Sequence, residues 1–373
     1  MALALAVTGM APLAQAQSLV ELYESAKAFD ATYQSARLQY DANLARAEQA
    51  RAAILPSAGL SVGAARVGVD TTTTPPVNAS YNTQNATLSA TQPLYRPANW
   101  AGYAQGRKQV DLARAQLEAA EQDLIVRTSQ AYFDVLAAQD TLASVQAQKA
   151  AVAEQLAAAK RNFEVGTSTI TDTREAQARF DLVTAQEIAA DNELRVRRIA
   201  LDQLVGTPAQ PRPLQAPVKL PATEPADVAP WVQQSETVHP AIRQARSGVE
   251  IAELEVAKAE AGHKPTLDLN ASYNVTRNPS SAALSGVSSR ANTSNVGVVL
   301  NVPLFAGFAT QNRIRETLSL RDRAQSDLEG ARRSVAQATR TAFFGVQSGQ
   351  SQVKALEAAE LSSQSALEAN QLG

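Results

Sequence analysis

The sequence predicts a mixed α and β membrane protein, with long α-helical coiled-coil hairpins and four transmembrane β-strands per protomer, laid out as two tandem repeats. Three observations carry this reading. Residues 107–165 hold neither proline nor glycine, and within them Val110, Leu117, Leu124, Ala131, Ala138, Val145, Val152 and Ala159 recur every seven residues, the period of a left-handed supercoil. Other segments alternate apolar and polar residues with the period of a strand. The chain also repeats its own motifs at a nearly constant offset.

Composition narrows the classes. Hydrophobic residues make up 45% of the 373, yet only 5% are aromatic, so thin, alanine-rich packing layers are expected rather than bulky cores. With 34 basic against 36 acidic side chains there is no positive excess to neutralise phosphates, which argues against nucleic acid as a partner. The absence of cysteine rules out disulfides and thiolate metal sites. Two isolated histidines are too few for a zinc site, so no metal or cofactor is expected.

Residues 1–16 are uncharged, rich in Ala, Leu and Val, and end in Ala14-Gln15-Ala16. This small-x-small pattern reads as a signal peptide, with the mature chain starting at Gln17. The missing basic residue at its start leaves room for a beginning upstream of Met1. The first repeat spans 17–206. It opens with a helix over 18–53, followed by strands carrying Leu60, Val62 and Ala64, then Ala86, Leu88 and Ala90, joined by a polar loop over 70–80. A helix from near Pro97 to Phe163 follows, roughly 100 Å long at the usual rise. Val135, Leu142, Leu156 and Phe163 fill a stripe beside its heptad seam. The hairpin-tip turn is Glu164, Val165 and Gly166, where glycine takes the left-handed conformation that closes a helix. Thr169 with Asp172 resembles a capping box for a return helix over 172–204.

Residues 207–230 carry seven prolines and read as a linker. The second repeat, 231–373, opens with a helix over 226–262. Leu267, Leu269, Ala271, Tyr273 and Val275 then line one strand face, with Asp268, Asn270, Ser272, Asn274 and Thr276 on the other. The last strand sets Val296, Val298, Leu300 and Val302 against Asn295, Gly297, Val299 and Asn301 across a polar loop over 278–290. The repeats align at Leu55-Pro56 with Lys264-Pro265, at Pro93-Leu94-Tyr95 with Pro303-Leu304-Phe305, and at Ala131-Tyr132-Phe133 with Ala342-Phe343-Phe344.

Strands of about 9 to 11 residues with apolar-out, polar-in alternation suit a membrane barrel. Four strands cannot close one, and an open edge in lipid strands its backbone groups, so the chain is expected to oligomerise. Two copies give a side-chain-filled barrel of eight strands; three give twelve and a watery lumen, which Asp268, Asn270, Ser272, Asn274, Asn295 and Asn301 would face.

The order helix, hairpin, Gln92-Pro93-Leu94-Tyr95, long helix with Ala131-Tyr132-Phe133-Asp134, then Asn162-Phe163-Glu164-Val165-Gly166 and Thr171-Asp172, resembles the TolC family of outer-membrane efflux proteins. The resemblance covers nearly all of residues 18–373. It implies a homotrimer, with a twelve-stranded barrel in outer-membrane lipid and a helical barrel in the periplasm of a Gram-negative bacterium. It also implies a periplasmic adaptor (membrane fusion) protein and an inner-membrane ABC or proton-driven transporter as partners. The function implied is passive export of small molecules or proteins as the exit duct of an efflux pump or a type I secretion system, with no enzyme activity; drug efflux and type I secretion both stand. Matching the family's periplasmic gate gives Thr171 and Asp172, with Gln155 on the preceding helix; helix capping and a solvated face account for the same residues. At an offset of 211 Gly373 aligns with Asn162, so residues 163–206 have no counterpart in the second repeat. The expectation is a C-terminally truncated sequence that lacks the partner half of the gate and cannot close a helical barrel.

Gly59-Leu60-Ser61-Val62-Gly63 matches the G-x-S-x-G pattern of a hydrolase, but more strand follows it and neither His239 nor His263 is placed as a base. No catalytic residue is therefore assigned. The competing class is an exported structural coiled-coil assembly without channel activity, which would share the signal and the heptads but not the strand alternation.

Overall fold

The computed structural model describes residues 17–72, 77–214, 220–278 and 289–372. The signal segment 1–16 and the tips of both strand hairpins lie outside the described residues. Element order is α1 (Leu19–Phe29), α2 (Ala31–Ala52), β1 (Ser57–Thr71), β2 (Val77–Tyr95), α3 (Pro97–Glu164), α4 (Ile170–Val205), α5 (Val228–Val238), α6 (Pro240–Glu260), β3 (Thr266–Asn278), β4 (Ser289–Asn301) and α7 (Ala309–Leu372). Among the described residues no helix is long and apolar enough to cross a membrane.

Two departures from the sequence reading have clear causes. Each opening helix is broken in two. Asp30 leaves the helical conformation at ψ 118°, and its Oδ1 accepts the Tyr33 N–H at 2.7 Å, starting α2. His239 does the same before Pro240: it is extended, and its Nδ1 accepts the Ala241 N–H at 3.2 Å. Proline disfavours helix in the residue before it and suits the first helical position. The strands are also longer than 9 to 11 residues, at 15, 19, 13 and 13. Pairing runs from Ser57 with Thr91 to Thr71 with Val77, and from Thr266 with Asn301 to Asn278 with Ser289. Residues 70–71 and 77–80 of the first expected loop are therefore strand, as are 278 and 289–290 of the second, whose remaining residues lie outside those described, and α5 begins inside the expected linker.

The chain packs as two units, residues 1–38 with 117–222 and residues 39–116 with 223–373. In the first, α3 from Leu117 and α4 form an antiparallel hairpin against α1. Leu124 and Val135 of α3, Leu201 and Val205 of α4, and Leu22 of α1 make its core. The heptad positions of α3 through Ala159 are buried or half-buried, while Phe163 near the tip is exposed. Charged pairs span the hairpin, Arg197 to Asp134 at 3.0 Å and Lys149 to Glu187 at 2.5 Å. Gly206 ends α4 at φ +82°, where a side chain costs about 1 to 2 kcal/mol. A Cβ there would also lie 2.8 Å or less from three ring atoms of Phe29. Gly206→Ala should therefore lower the stability of this unit by about 1.5 kcal/mol, read from its denaturation midpoint. An unchanged midpoint would mean that α4 can end in another way.

In the second unit α2, α3 and α6 are held by small buried residues and polar links. Ala47, Ala113 and Ala115 are buried, as are Ile242, Val249 and Val256 of α6. Lys108 pairs with Glu250 at 2.7 Å, and Glu255 accepts from Gln105 at 3.0 Å and from Arg313 of α7 at 2.6 Å. Alanine at these contacts lets helices approach closely while burying little area each. The strands form one antiparallel sheet in the order β1-β2-β3-β4, so both hairpins share one surface.

Candidate functional site

The register sorts every strand residue onto one of two faces. On one face the rows read Leu60, Leu88, Tyr273, Ser294 and then Val62, Ala86, Val275, Asn292, with Val298 opposite Leu269 and Leu300 opposite Leu267. These side chains are open: Val296 is 78% exposed, Val62 76% and Leu60 71%. So broad an apolar surface without cover does not belong in water.

The other face is polar. Its rows are Ser61, Thr87, Asn274, Thr293; Gly59, Ser89, Ser272, Asn295; and Ser57, Thr91, Asn270, Gly297. Hydroxyls and amides link across strands, Thr87 Oγ1 donating to Asn274 Oδ1 at 3.0 Å and Thr91 Oγ1 to Asn270 Oδ1 at 2.9 Å. Asn274 donates onward to Thr276 at 3.1 Å. Asn301, opposite Thr266, shares this face. All six expected lumen residues therefore stand on one face, and Thr87 and Thr91 join them as partners of the asparagines.

Asp268 differs from the other five. It is only 8% exposed, and its carboxylate is taken up by Arg96, whose Nε and one terminal nitrogen donate to its two oxygens at 2.7 and 2.6 Å. Asp268 thus binds the end of the sheet to the start of α3 rather than offering a free charge to water. Arg96 was not foreseen. It lies 172 residues from its partner, and no local pattern announces such a pair.

The helical hairpin tip is built as its sequence suggests. The Val165, Gly166 and Thr167 amides donate to Arg161, Phe163 and Asn162 carbonyls at 3.1, 3.0 and 2.8 Å, and Gly166 has φ +81°. Glu164, Val165 and Gly166 are all exposed. The Thr169 and Asp172 box is present: the Asp172 N–H donates to Thr169 Oγ1 at 3.2 Å, and the Thr169 N–H to Asp172 Oδ2 at 2.8 Å. Hydrogen bonds from the Thr169 backbone and then its hydroxyl hold the Asp172 carboxyl below the usual carboxylate range.

Gln155 and Asp172 come together on the walls of one cavity of about 220 Å³, with Val152, Glu175, Ala176 and Arg179. Thr171 is exposed one residue earlier and does not line it. Glu175 and Arg179, joined one helical turn apart at 2.5 Å, were missed, because i to i+4 pairs on exposed helices are ordinary. Among the described residues no group of His, Cys, Asp and Glu could hold a metal ion.

A family model described as "Outer membrane efflux protein" matches residues 22–207 and 231–373. The chain is 32% identical over 359 residues to outer membrane protein TolC of Vibrio cholerae serotype O1, covering 96% of this chain and 81% of that one. It is 30% identical over 366 residues to the proteases secretion protein PrtF of Dickeya chrysanthemi, covering 95% and 78%. Among solved structures the outer-membrane channel OprN superposes with a TM-score of 0.77 at 18% identity, over 91% of this chain and 76% of that one.

Proposed function

The chain belongs to the outer membrane efflux protein family, and from that premise we propose how its residues divide the work of an exit duct. Proteins of this family are channels of the Gram-negative outer membrane, with their helical part in the periplasm, serving efflux or type I secretion. They form trimers, act with export partners and are not an enzyme family.

Three copies of the four-stranded sheet pair β4 to β1 and make a barrel of twelve strands, which removes both open edges from lipid. The apolar rows meet acyl chains, and Asn270, Ser272, Asn274, Asn295 and Asn301 line the watery lumen. What supports this most is the two-faced sheet itself, with its exposed apolar face and cross-linked polar one. The two repeats, 17–206 and 231–373, are supported by α1 and α5, and by β1 and β3, each starting 209 residues apart. Residues 1–16 direct export, and 207–230 connect the repeats. A periplasmic adaptor engages the helical part and an inner-membrane ABC or proton-driven transporter supplies energy, since a duct of neutral amides and hydroxyls has no means of its own.

Adjacent positions on β3 test the faces. The chain has no cysteine, so an introduced thiol is unique. Asn274→Cys should react with a membrane-impermeant maleimide in cells, and Tyr273→Cys should not. Equal labelling at both would overturn the assignment.

Thr171, Asp172 and Gln155 form this chain's share of the periplasmic gate, with the turn at Glu164, Val165 and Gly166 at its rim. Asp172 also caps α4, so its replacement mixes two effects. Thr171→Val leaves the Thr169 and Asp172 box untouched and isolates the gate. In a trimer whose protomers carry both helical hairpins, losing one closing hydrogen bond of about 1 kcal/mol should raise the open-to-closed ratio roughly fivefold, read as single-channel conductance in bilayers. Unaltered conductance with Thr171→Val would leave these residues as caps only.

A further inference from the structure

The face that meets lipid carries an unexplained pair of like charges. Arg277 of β3 stands directly opposite Arg290 of β4, on the same face as Tyr273, Val275 and Val296. Both are exposed. Directly opposed residues have Cβ atoms about 5 Å apart, and like charges there are destabilising. Arg66 of β1, also exposed, lies on this face one row further toward the hairpin tips, opposite Asn82, while Arg277 and Ala64 flank Gln84 on either side. Arg66 donates to Ser80 Oγ at 3.2 Å. Among the described strand residues the only carboxylate on this face is Asp70. It sits on β1 four residues beyond Arg66 and opposite Asn78, with β2 between it and β3.

Height is as informative as charge. The apolar run 267–275 on β3 covers roughly 27 Å of strand, and Arg277 follows it by one step. α3 leaves the sheet at the opposite end, beside Asp268. On β4 the same-face residues Ser294 and Asn292 stand between Val296 and Arg290, so the arginines lie at the outer rim of the apolar run that β3 carries, where acyl chains give way to headgroups.

We propose that Arg277 and Arg290, with Arg66 beside them, bind the phosphates of a phosphorylated glycolipid in the outer leaflet. This rests on the reading that the apolar face meets lipid. A guanidinium fork matches phosphate oxygens two at a time. Two uncompensated cations so close together call for more than one formal negative charge, which a bisphosphorylated sugar headgroup supplies and a zwitterionic phospholipid does not. The bound phosphates then relieve the repulsion that the bare sheet carries.

The test uses the full-length protein in detergent and measures binding of a bisphosphorylated, acylated diglucosamine lipid and of its dephosphorylated form. Arg277→Gln and Arg290→Gln should each weaken binding of the first roughly fivefold, and the double variant about twentyfold. Arg277→Glu should also weaken it while creating a favourable cross-strand pair with Arg290, so heat stability holds and misfolding is excluded as the cause. Equal binding of the dephosphorylated lipid, or unchanged binding by the double variant, would overturn the proposal. Tyr273→Cys, labelled with a fluorophore and placed in bilayers with brominated acyl chains, reads the face separately. Quenching there with unchanged glycolipid binding removes the proposal alone; no quenching removes the lipid-facing assignment and the proposal with it.

Discussion

Asp30→Ala should destabilise the helical unit around it by about 3 kcal/mol. Asp30 is 8% exposed and does two things at the break between α1 and α2. Its Oδ1 accepts the Tyr33 N–H at 2.7 Å, which starts α2, and its two oxygens accept from both terminal nitrogens of Arg127 at 2.9 and 3.1 Å. Removing it abolishes the cap and leaves Arg127 with Asp123, one turn away at 2.7 Å. Because Arg127 is a third exposed and keeps that partner, the loss falls at the lower end of the range for broken buried pairs. Asp30→Asn keeps the cap and loses the charge, so it should cost about half as much. Denaturation of the full-length protein, followed by its helical signal, measures both, and a loss under about 0.5 kcal/mol would mean that the pair is solvated.

The same pair sets a pH dependence. The Arg127 guanidinium, and next the Tyr33 and Thr32 amides, hold the Asp30 carboxyl below its ordinary value of 3.8, against the opposing effect of burial. Hydrogen bonding by Lys27, then its charge and Tyr23, does the same for Glu121. A carboxyl lowered on folding contributes stability that is fully present above its unfolded value and is lost as pH falls through the folded one. The wild-type unit should therefore lose stability below about pH 4, and Asp30→Asn should flatten that fall.

Asp268→Ala should cost about 2 to 3 kcal/mol, at the junction of the sheet with α3. Alanine at Asp268 leaves Arg96 without its bidentate acceptor. Arg96→Lys should retain a single contact and lose about 1 kcal/mol. A cycle with Arg96→Ala separates the pair from the packing of each side chain: the double variant should recover about 1 to 2 kcal/mol relative to the sum of the singles. Additive losses would show that the two groups act independently. Asn274, on the same face but tied to Thr87 and Thr276, makes a comparison in which only neutral bonds are lost.

Legibility followed the range of the physical cause. Helix α3 could be read from Pro97 to its end because seam, stripe and the lack of breakers all lie within the helix. The Thr169 and Asp172 box could be read because its bonds span three residues. The break at His239 had a local signal in Pro240. The break at Asp30 had none, although it lies at the repeat offset, because an aspartate inside an apolar pattern passes for a solvated side chain. Residues 70–71 and 77–80 read as loop because Asp70, Thr71, Asn78 and Ser80 interrupt the alternation, and only the pairing across the hairpin makes them strand.

By itself the sequence determined the periods: seven along α3, two along each strand, and about 209 from one opening helix to the next. Those periods decide which residues share a face, since the backbone geometry of helix and strand imposes them. The tertiary structure alone decided which faces meet and which charges find partners. Arg96 closes on Asp268, Arg127 on Asp30, and Arg277 faces Arg290 because hydrogen bonds and register bring together segments that no local pattern connects.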